Sequence, residues 1–222
     1  MTSLIEPAAA SGNLLRLMSD IPGSTVVTLD RKQIVYGCLD RASGVYLVER
    51  GHVKVVAPSR EGRECLLGIY STGDLVGELC LNGETRGETV TTMTKAVLRR
   101  FSRARLMSAL DDASVREEFV RYLVHRLVEQ QQMITHFVTA DSEYRLAAVL
   151  LHVTRKMGRR SGPLLILDAR ITQEELSGMV GTTRSRVGLF LKHFIDSGMV
   201  LRSQDGVLAV HEQRLEAFMA MS

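Results

Sequence analysis

The chain has few cysteines to cross-link it, almost no net charge and no long apolar run. Its three cysteines, Cys38, Cys65 and Cys80, show no CxxC spacing and cannot pair completely, which excludes a disulfide scaffold and a four-cysteine zinc or iron–sulfur site. Such usage points to a reducing compartment. The 28 Lys and Arg residues against 25 Asp and Glu leave a formal charge of +3, so the composition does not advertise wholesale adhesion to nucleic acid or membrane. A polyanionic partner must be bound locally. The most apolar stretches, Leu146 to Val153 and Leu164 to Leu167, are far shorter than the roughly 18 residues a membrane span needs. The opening segment Met1 to Ala10 lacks a basic start followed by an apolar run and does not read as a signal peptide. A soluble cytoplasmic chain with no membrane partner is expected. No G-x-S-x-G, G-x-x-x-x-G-K or HExxH pattern occurs, and Gly51-His52 lacks the H-x-H of a cupin metal site because position 54 is Lys. Neither an enzyme nor a metal site is expected.

What is present is enough for two cores: 222 residues, 45% of them hydrophobic. Eleven of the eighteen glycines lie between Gly12 and Gly87 and divide that region into short runs bounded by turn residues. Val45 to Val48, Val53 to Val56, Cys65 to Tyr70, Thr89 to Met93 and Ala96 to Phe101 read as antiparallel strands, with turns at Glu49 to His52 and Ser59 to Arg63. A jelly-roll-like β-roll is expected over about residues 15 to 101.

After Phe101 the period becomes helical. Val120, Leu123, Leu127, Ile134 and Phe137 fall on heptad spacing, with Gln130 in the slot between Leu127 and Ile134, which suits the seam of a paired helix in a homodimer or a helix buried on its own domain. Val124 and Val128 form a second apolar edge expected to lie on the roll. Asp141 and Ser142 are N-cap types, and a new helix is expected from Ser142 to Met157, ending at Gly158. The implied organisation is an α+β chain with a sensing roll at 1–110, a dimerisation helix at 111–140 and a further domain at 141–222. That last domain carries 11 Lys and Arg against 9 Asp and Glu, so any affinity for a polyanion such as DNA must come from placement rather than net charge. Arg155, Lys156, Arg159 and Arg160 gather at one helix end, where they can face DNA or simply cap carbonyls.

The segment from Ile171 to Gly198 holds two short helices around a glycine. Thr172 with Glu175 three residues on is a capping box, Leu176, Met179 and Val180 form a buried face, and Gly181 allows the turn. Thr183 can cap a second helix whose Val187, Phe190, Leu191 and Phe194 point inward. Arg184, Ser185 and Arg186 are then exposed in its first turn, with Leu189 one turn on. Helix-turn-helix proteins place such side chains on base edges in the major groove, and Arg184 can grip guanine O6 and N7 bidentately. Gln173, Thr182, Thr183 and Lys192 suit contacts that position the protein, mostly on phosphate oxygens. Met199 to Arg202 and Val207 to Val210 flank an Asp-Gly turn and read as a wing.

This order of roll, long helix and winged helix-turn-helix resembles the CRP/FNR superfamily of bacterial transcription regulators over roughly residues 15 to 215. A second motif supports the likeness: Gly73-Asp-Leu-Val-Gly-Glu-Leu79 with Arg86 seven residues later is similar to the family's cyclic-nucleotide phosphate cassette. The resemblance implies a homodimer on a near-palindromic operator, a small effector, RNA polymerase as a partner, and no haem. It assigns Gly77 and Arg86 to a phosphate, Glu78 to a ribose hydroxyl, Leu79 to a backbone contact, and Gln130 and Gln131 to the base. Cyclic-nucleotide binders carry a small hydroxyl residue and alanine after the arginine, whereas this chain has Gly87 and Glu88: a donor is lost and an anion added, and Glu88 can instead neutralise Arg86 and close the pocket. The recognition helix departs too: where well-known members read DNA with Arg-Glu and a second arginine one turn on, this chain has Arg184-Ser185 and Leu189, with Arg186 interposed, so the operator should differ. Two alternatives stay open: a redox or gas sensor using Cys80, Cys38 or Cys65, and a ligand-independent regulator with a closed pocket.

Overall fold

A computed structural model describes residues 8–58 and 64–221. The chain divides into two compact units: apart from Glu64–Leu66, which group with the second, the boundary falls inside one long helix between Glu129 and Gln130.

The first unit opens with α1 (Ala8–Ser19), where the sequence had suggested the start of the roll. Leu14 and Met18, one helical turn apart, are fully buried, so helical spacing wins over the nearby strand-like residues. Strands β1 (Thr25–Leu29), β2 (Ile34–Tyr36), β3 (Gly44–Arg50), β4 (Val53–Pro58), β5 (Glu64–Tyr70), β6 (Leu75–Val76), β7 (Thr89–Thr92) and β8 (Ala96–Ser102) follow. They form two four-stranded sheets, ordered β1-β8-β3-β6 and β2-β7-β4-β5. The β3–β4 turn closes at Gly51, whose φ is +85° and where a Cβ would sit 2.3 Å from the Lys95 carbonyl oxygen. The expected turn at Ser59 to Arg63 lies outside the described residues. Val48, Val53, Val55, Val76, Val90 and Leu98 form an apolar layer drawn from both sheets. A second layer joins Leu47, Leu75 and Phe101 to α1, to α2 (Arg103–Ala109) through Leu106, and to α3 (Ala113–Thr139) through Phe119 and Tyr122.

The face of α3 that meets the roll is therefore Val115, Phe119 and Tyr122, not the expected Val124 and Val128. Val124 is 55% exposed and belongs to the opposite side. At roughly 100° per residue, Val120, Val124, Leu127, Gln131, Ile134 and Val138 fall within a stripe about 80° wide. Its apolar members are 52 to 79% exposed, whereas Leu123 at 36% lies just beyond one edge and Phe137 at 42% about 60° beyond that edge. A strict heptad drifts relative to a straight helix. Hence Gln131, rather than Gln130, is the polar residue at the stripe's centre.

The second unit begins at the C-terminal end of α3. Asp141 caps α4 (Ser142–Met157), accepting from the Glu143 and Tyr144 amides at 2.9 Å each. Then come β9 (Gly158–Ser161), β10 (Leu164–Leu167), α5 (Gln173–Val180), α6 (Arg184–Asp196), β11 (Val200–Arg202), β12 (Leu208–His211) and α7 (Glu212–Met221). The strands form one sheet in the order β11-β12-β10-β9. Leu146, Leu150, Leu176, Val187, Phe194, Val210 and Leu215 are buried in this unit. The chain leaves α4 at Gly158, where a Cβ would lie 2.4 Å from the Thr154 carbonyl oxygen. Arg159 and Arg160 thus enter a strand instead of extending a basic helix end. Arg155 Nε pairs with Glu212 at 2.8 Å and its Nη2 with Glu216, while Arg160 pairs with Glu212 at 2.6 Å. Burial raises the Glu212 carboxyl, but the hydrogen bonds from Arg155 and Arg160 overcome this and hold it below the usual range. The carboxylates that claim this cluster stand more than fifty residues away in sequence.

Candidate effector pocket and nucleic-acid interface

The cassette of the first unit is built on a left-handed glycine. Gly77, at φ +84° and ψ 13°, caps a short 3-10 helix over Glu78–Leu81. A side chain there would be strained at that φ, and its Cβ would meet Arg86 Nη1 at 2.5 Å. Arg86 is only 4% exposed. Its Nη1 donates to the Gly77 carbonyl at 2.7 Å, its Nη2 donates to the Gly44 carbonyl, and its Cζ lies 4.0 Å from the centroid of the Tyr36 ring. The Nε of the same side chain is buried without a hydrogen-bond partner. Glu88, also 4% exposed, accepts from the Tyr36 hydroxyl at 2.9 Å. Burial, reinforced by the neighbouring Glu88 carboxylate, pushes the Tyr36 hydroxyl far above its ordinary value, so it remains a donor. Sequence reasoning allowed Glu88 to neutralise Arg86. The contact runs through Tyr36, with the guanidinium over its ring and the carboxylate on its hydroxyl, and β2, which carries Tyr36, was not expected.

Of the remaining cassette residues, Glu78 is half-buried, and burial raises its carboxyl. Leu79 and Gly87 are exposed. The cassette strand is fastened to α3 at Leu75, whose amide donates to the Tyr122 oxygen at 3.0 Å and whose carbonyl accepts from the Tyr122 hydroxyl at 3.1 Å. Arg126, one turn on, donates to the Tyr70 hydroxyl, pairs with Glu129 at 2.8 Å and lies 4.5 Å from the Tyr70 ring centroid. Burial pushes the Tyr70 hydroxyl up to about 12 against the opposing pull of Arg126. Gln130 and Gln131 are exposed on α3 and fall in the second unit. Cys80 is buried, and burial raises its thiol, which keeps it protonated and a poor nucleophile. Among the described residues, no group of three or more His, Cys, Asp or Glu could hold a metal ion, and no helix is long and apolar enough to cross a membrane.

In the second unit the two helices end as their sequences require. Thr172 and Glu175 form the reciprocal capping box, and Gly181 closes α5 at φ +66°, ψ 48°. Thr183 caps α6 by accepting from the Arg186 amide at 3.3 Å. Val187, Leu191 and Phe194 are buried, which turns Ser185, Leu189 and Lys192 outward. Thr182 is half-buried, and Arg184 and Arg186 are exposed in the first turn. They diverge, because Arg186 folds back until its Cζ is 5.7 Å from the Phe190 ring centroid. Arg184 instead lines a cleft of about 370 Å³ with Arg170, Gln173 and Arg202. Gln173 also lies beside Gly188, 3.5 Å from where a Cβ would be. The wing turn carries Gly206 at φ +80°, its amide donating to the Ser203 carbonyl at 3.0 Å, with Arg170 beside it. Sequence reasoning missed Arg170 and Arg202. A clue was available: each is an arginine bordering an element already assigned to the DNA side.

The C-terminal end of α3 meets the helix-turn-helix within this unit. A Cβ at Gly181 would be 2.7 Å from Cε1 of Phe137, and Arg145 lies 5.3 Å from the same ring's centroid. Arg145 donates to the carbonyls of Ala140 at 2.8 Å and Val180 at 2.9 Å. Glu143 of α4 and His193 of α6 are joined at 2.6 Å.

Two families match in the order in which these units occur: the cyclic nucleotide-binding domain over residues 26–113 and the Crp-like helix-turn-helix domain over residues 144–218. A CRP-like cAMP-activated global transcriptional regulator of Mycobacterium tuberculosis is 28% identical over 191 residues, 85% of each chain. The cAMP-activated global transcriptional regulator of Salmonella typhimurium is 24% identical over 164 residues, covering 72% of this chain and 78% of that one. Among solved structures, FixK2 from Bradyrhizobium japonicum shares the fold with a TM-score of 0.75 at 19% identity, covering 87% of this chain and 96% of the other. With a nucleotide-binding-type roll and a capped, arginine-bearing helix-turn-helix in one polypeptide, the chain belongs to the CRP/FNR family of DNA-binding transcription regulators.

Proposed function

We propose that the protein acts as a homodimer on a near-palindromic operator, with Arg184 of each copy reading guanine O6 and N7 in successive major grooves. The observation that carries this reading is the position of Arg184. It is exposed in the first turn of a helix whose cap and buried face fix the direction of that turn, and it shares a cleft with Gln173, Arg170 and Arg202. Gln173, Thr182, Thr183 and Lys192 hold phosphates, joined by Arg170 and Arg202 near the wing. Ser185 and Leu189 present a hydroxyl and an apolar surface to neighbouring bases, and Arg186 serves the phosphate flank of its helix.

The dimer seam is the exposed stripe of α3, Val120, Val124, Leu127, Gln131, Ile134 and Val138, flanked by Leu123, Gln130 and Phe137. An apolar stripe this long on one helix is supported by pairing with its own copy. The cassette, Gly77, Glu78, Leu79, Arg86 and Gly87, forms the regulatory half. A compound acting there must favour one arrangement of the dimer over the other by about 1–3 kcal/mol to switch it.

Selection of bound sequences from random DNA tests both halves. Arg184→Ala should lose preference for one base per half-site at a cost of about 1–3 kcal/mol in affinity, while the melting temperature stays where it was. An unchanged selected sequence would remove Arg184 from the reading. Leu127→Asp should give a monomer in sedimentation, and a dimer that survives it places the interface elsewhere.

A further inference from the structure

We infer that the cassette is occupied from within, by the Glu88 carboxylate and Tyr36, and that it does not take a cyclic nucleotide monophosphate. This rests on the reading of the cassette as the regulatory half and specifies how that half works: the DNA-competent state is set without a nucleotide.

Three observations converge. The first concerns charge. Arg86 and Glu88 are each only 4% exposed, and both meet Tyr36, the guanidinium over its ring and the carboxylate on its hydroxyl. A phosphate diester entering beside them would add a second anion against one guanidinium, in an interior where charges are screened far less than in water. The second concerns donors. A guanidinium matches a phosphate by offering parallel N–H groups, but both terminal nitrogens of Arg86 already donate to backbone carbonyls, those of Gly77 and Gly44, and its Nε is the nitrogen left without a partner. The third concerns space. Nη1 donates to the Gly77 carbonyl at 2.7 Å, so a phosphate oxygen would have to displace the guanidinium from that peptide. The face of the guanidinium is covered by Tyr36, whose hydroxyl is committed to Glu88. Arg86, the side chain that would meet the phosphate, is thereby held by the backbone and by Tyr36, and Glu88 fixes Tyr36 in place.

The experiment is nucleotide binding by the full-length protein in the absence of DNA, followed by calorimetry with cyclic AMP and cyclic GMP at up to about 1 mM. The wild type should show no saturable heat, and its operator affinity should be the same within about twofold with and without either nucleotide. Micromolar binding by the wild type overturns the inference, whatever the DNA measurement gives. Glu88→Gln keeps a partner for the Tyr36 hydroxyl and removes the anion, and Gly87→Ser combined with Glu88→Ala adds a hydroxyl donor and deletes the carboxylate. Each, checked for an intact melting transition, should tighten nucleotide binding by about tenfold or more over the wild type. If both fold and neither gains affinity, Glu88 is not the bar and the inference is wrong. Because this readout involves no operator, it separates a failure of the cassette argument from a failure of the DNA reading.

Discussion

Two arginines divide this molecule's chemistry between them. Arg86 is sealed inside the roll with carbonyls on its terminal nitrogens and an aromatic ring under its face. Arg184 stands in the open at the start of α6, its backbone set by a threonine cap and its side chain reaching into a cleft. The contrast teaches that the same guanidinium holds a structure together when its terminal nitrogens are spent internally and is available to a partner when they are not. Removing the first should therefore be felt in stability, and removing the second in binding.

The largest expected effect tests that division. Arg86→Ala leaves the Gly77 and Gly44 carbonyls without their donor and leaves Glu88 buried beside a neutral cavity, so the roll should lose about 3–5 kcal/mol. Urea denaturation checks this conveniently. The chain has no tryptophan, and Tyr36, Tyr46, Tyr70 and Tyr122, four of its five tyrosines, lie in the first unit, so tyrosine fluorescence follows that unit's transition. A loss below about 1 kcal/mol would mean that Arg86 is as expendable to the fold as Arg184 is expected to be, and the comparison would collapse.

A smaller effect probes how the reading helix is held. Gly181 combines a left-handed backbone with the Phe137 ring packed where a side chain would begin. Gly181→Ala should cost about 2 kcal/mol, part from the backbone and part from the displaced ring. If the ring contributes, Gly181→Ala added to Phe137→Ala should cost less than it does alone, a non-additivity that a thermodynamic cycle measures directly. Strict additivity would leave the backbone as the whole cause.

How legible these two regions were in the sequence follows from the range of the interactions that build them. The helix-turn-helix could be read because its determinants are local: Thr172 and Glu175 three apart, Thr183 beside its helix, Gly181 at the turn. The strands at residues 45–56 and 89–101 could be read for the same reason, from alternation between turn residues. The interior of the cassette could not. Tyr36 and Glu88 are joined across 52 residues, and Tyr122 and Leu75 across 47, separations over which no spacing rule operates. The seam was half-visible: its members were apolar at helical intervals, but a heptad ruler drew Leu123 and Phe137 to its centre where the 3.6-residue turn puts Val124 and Val138. The β9–β10 hairpin was missed because Arg159 and Arg160 continue a basic run from α4, and only the close approach at Gly158 breaks it.

That basic run supplies the finest test of the contrast between spent and available arginines. Arg155 and Arg160 look, in sequence, like candidates for DNA, yet both are held by Glu212, with Arg155 also on Glu216. The Glu212 carboxyl is depressed in the folded protein, so its contribution is present above the unfolded glutamate value of about 4.3 and is lost as the pH falls through the folded value. Because Arg160 is 61% exposed, solvent screens part of the pairing, and the whole effect should stay near about 1 kcal/mol. The stability difference between wild type and Glu212→Gln, measured by urea denaturation at a series of pH values, should be constant near neutrality and shrink below pH of about 4.3. A difference that instead grows on acidification would mean that the carboxyl is not stabilised by its arginines. Arg160→Ala should follow the same logic on the binding side and leave operator affinity unchanged. A loss comparable to that of Arg184→Ala would show that an arginine paired at home can still be recruited to the duplex, and the line drawn between the two kinds would have to move.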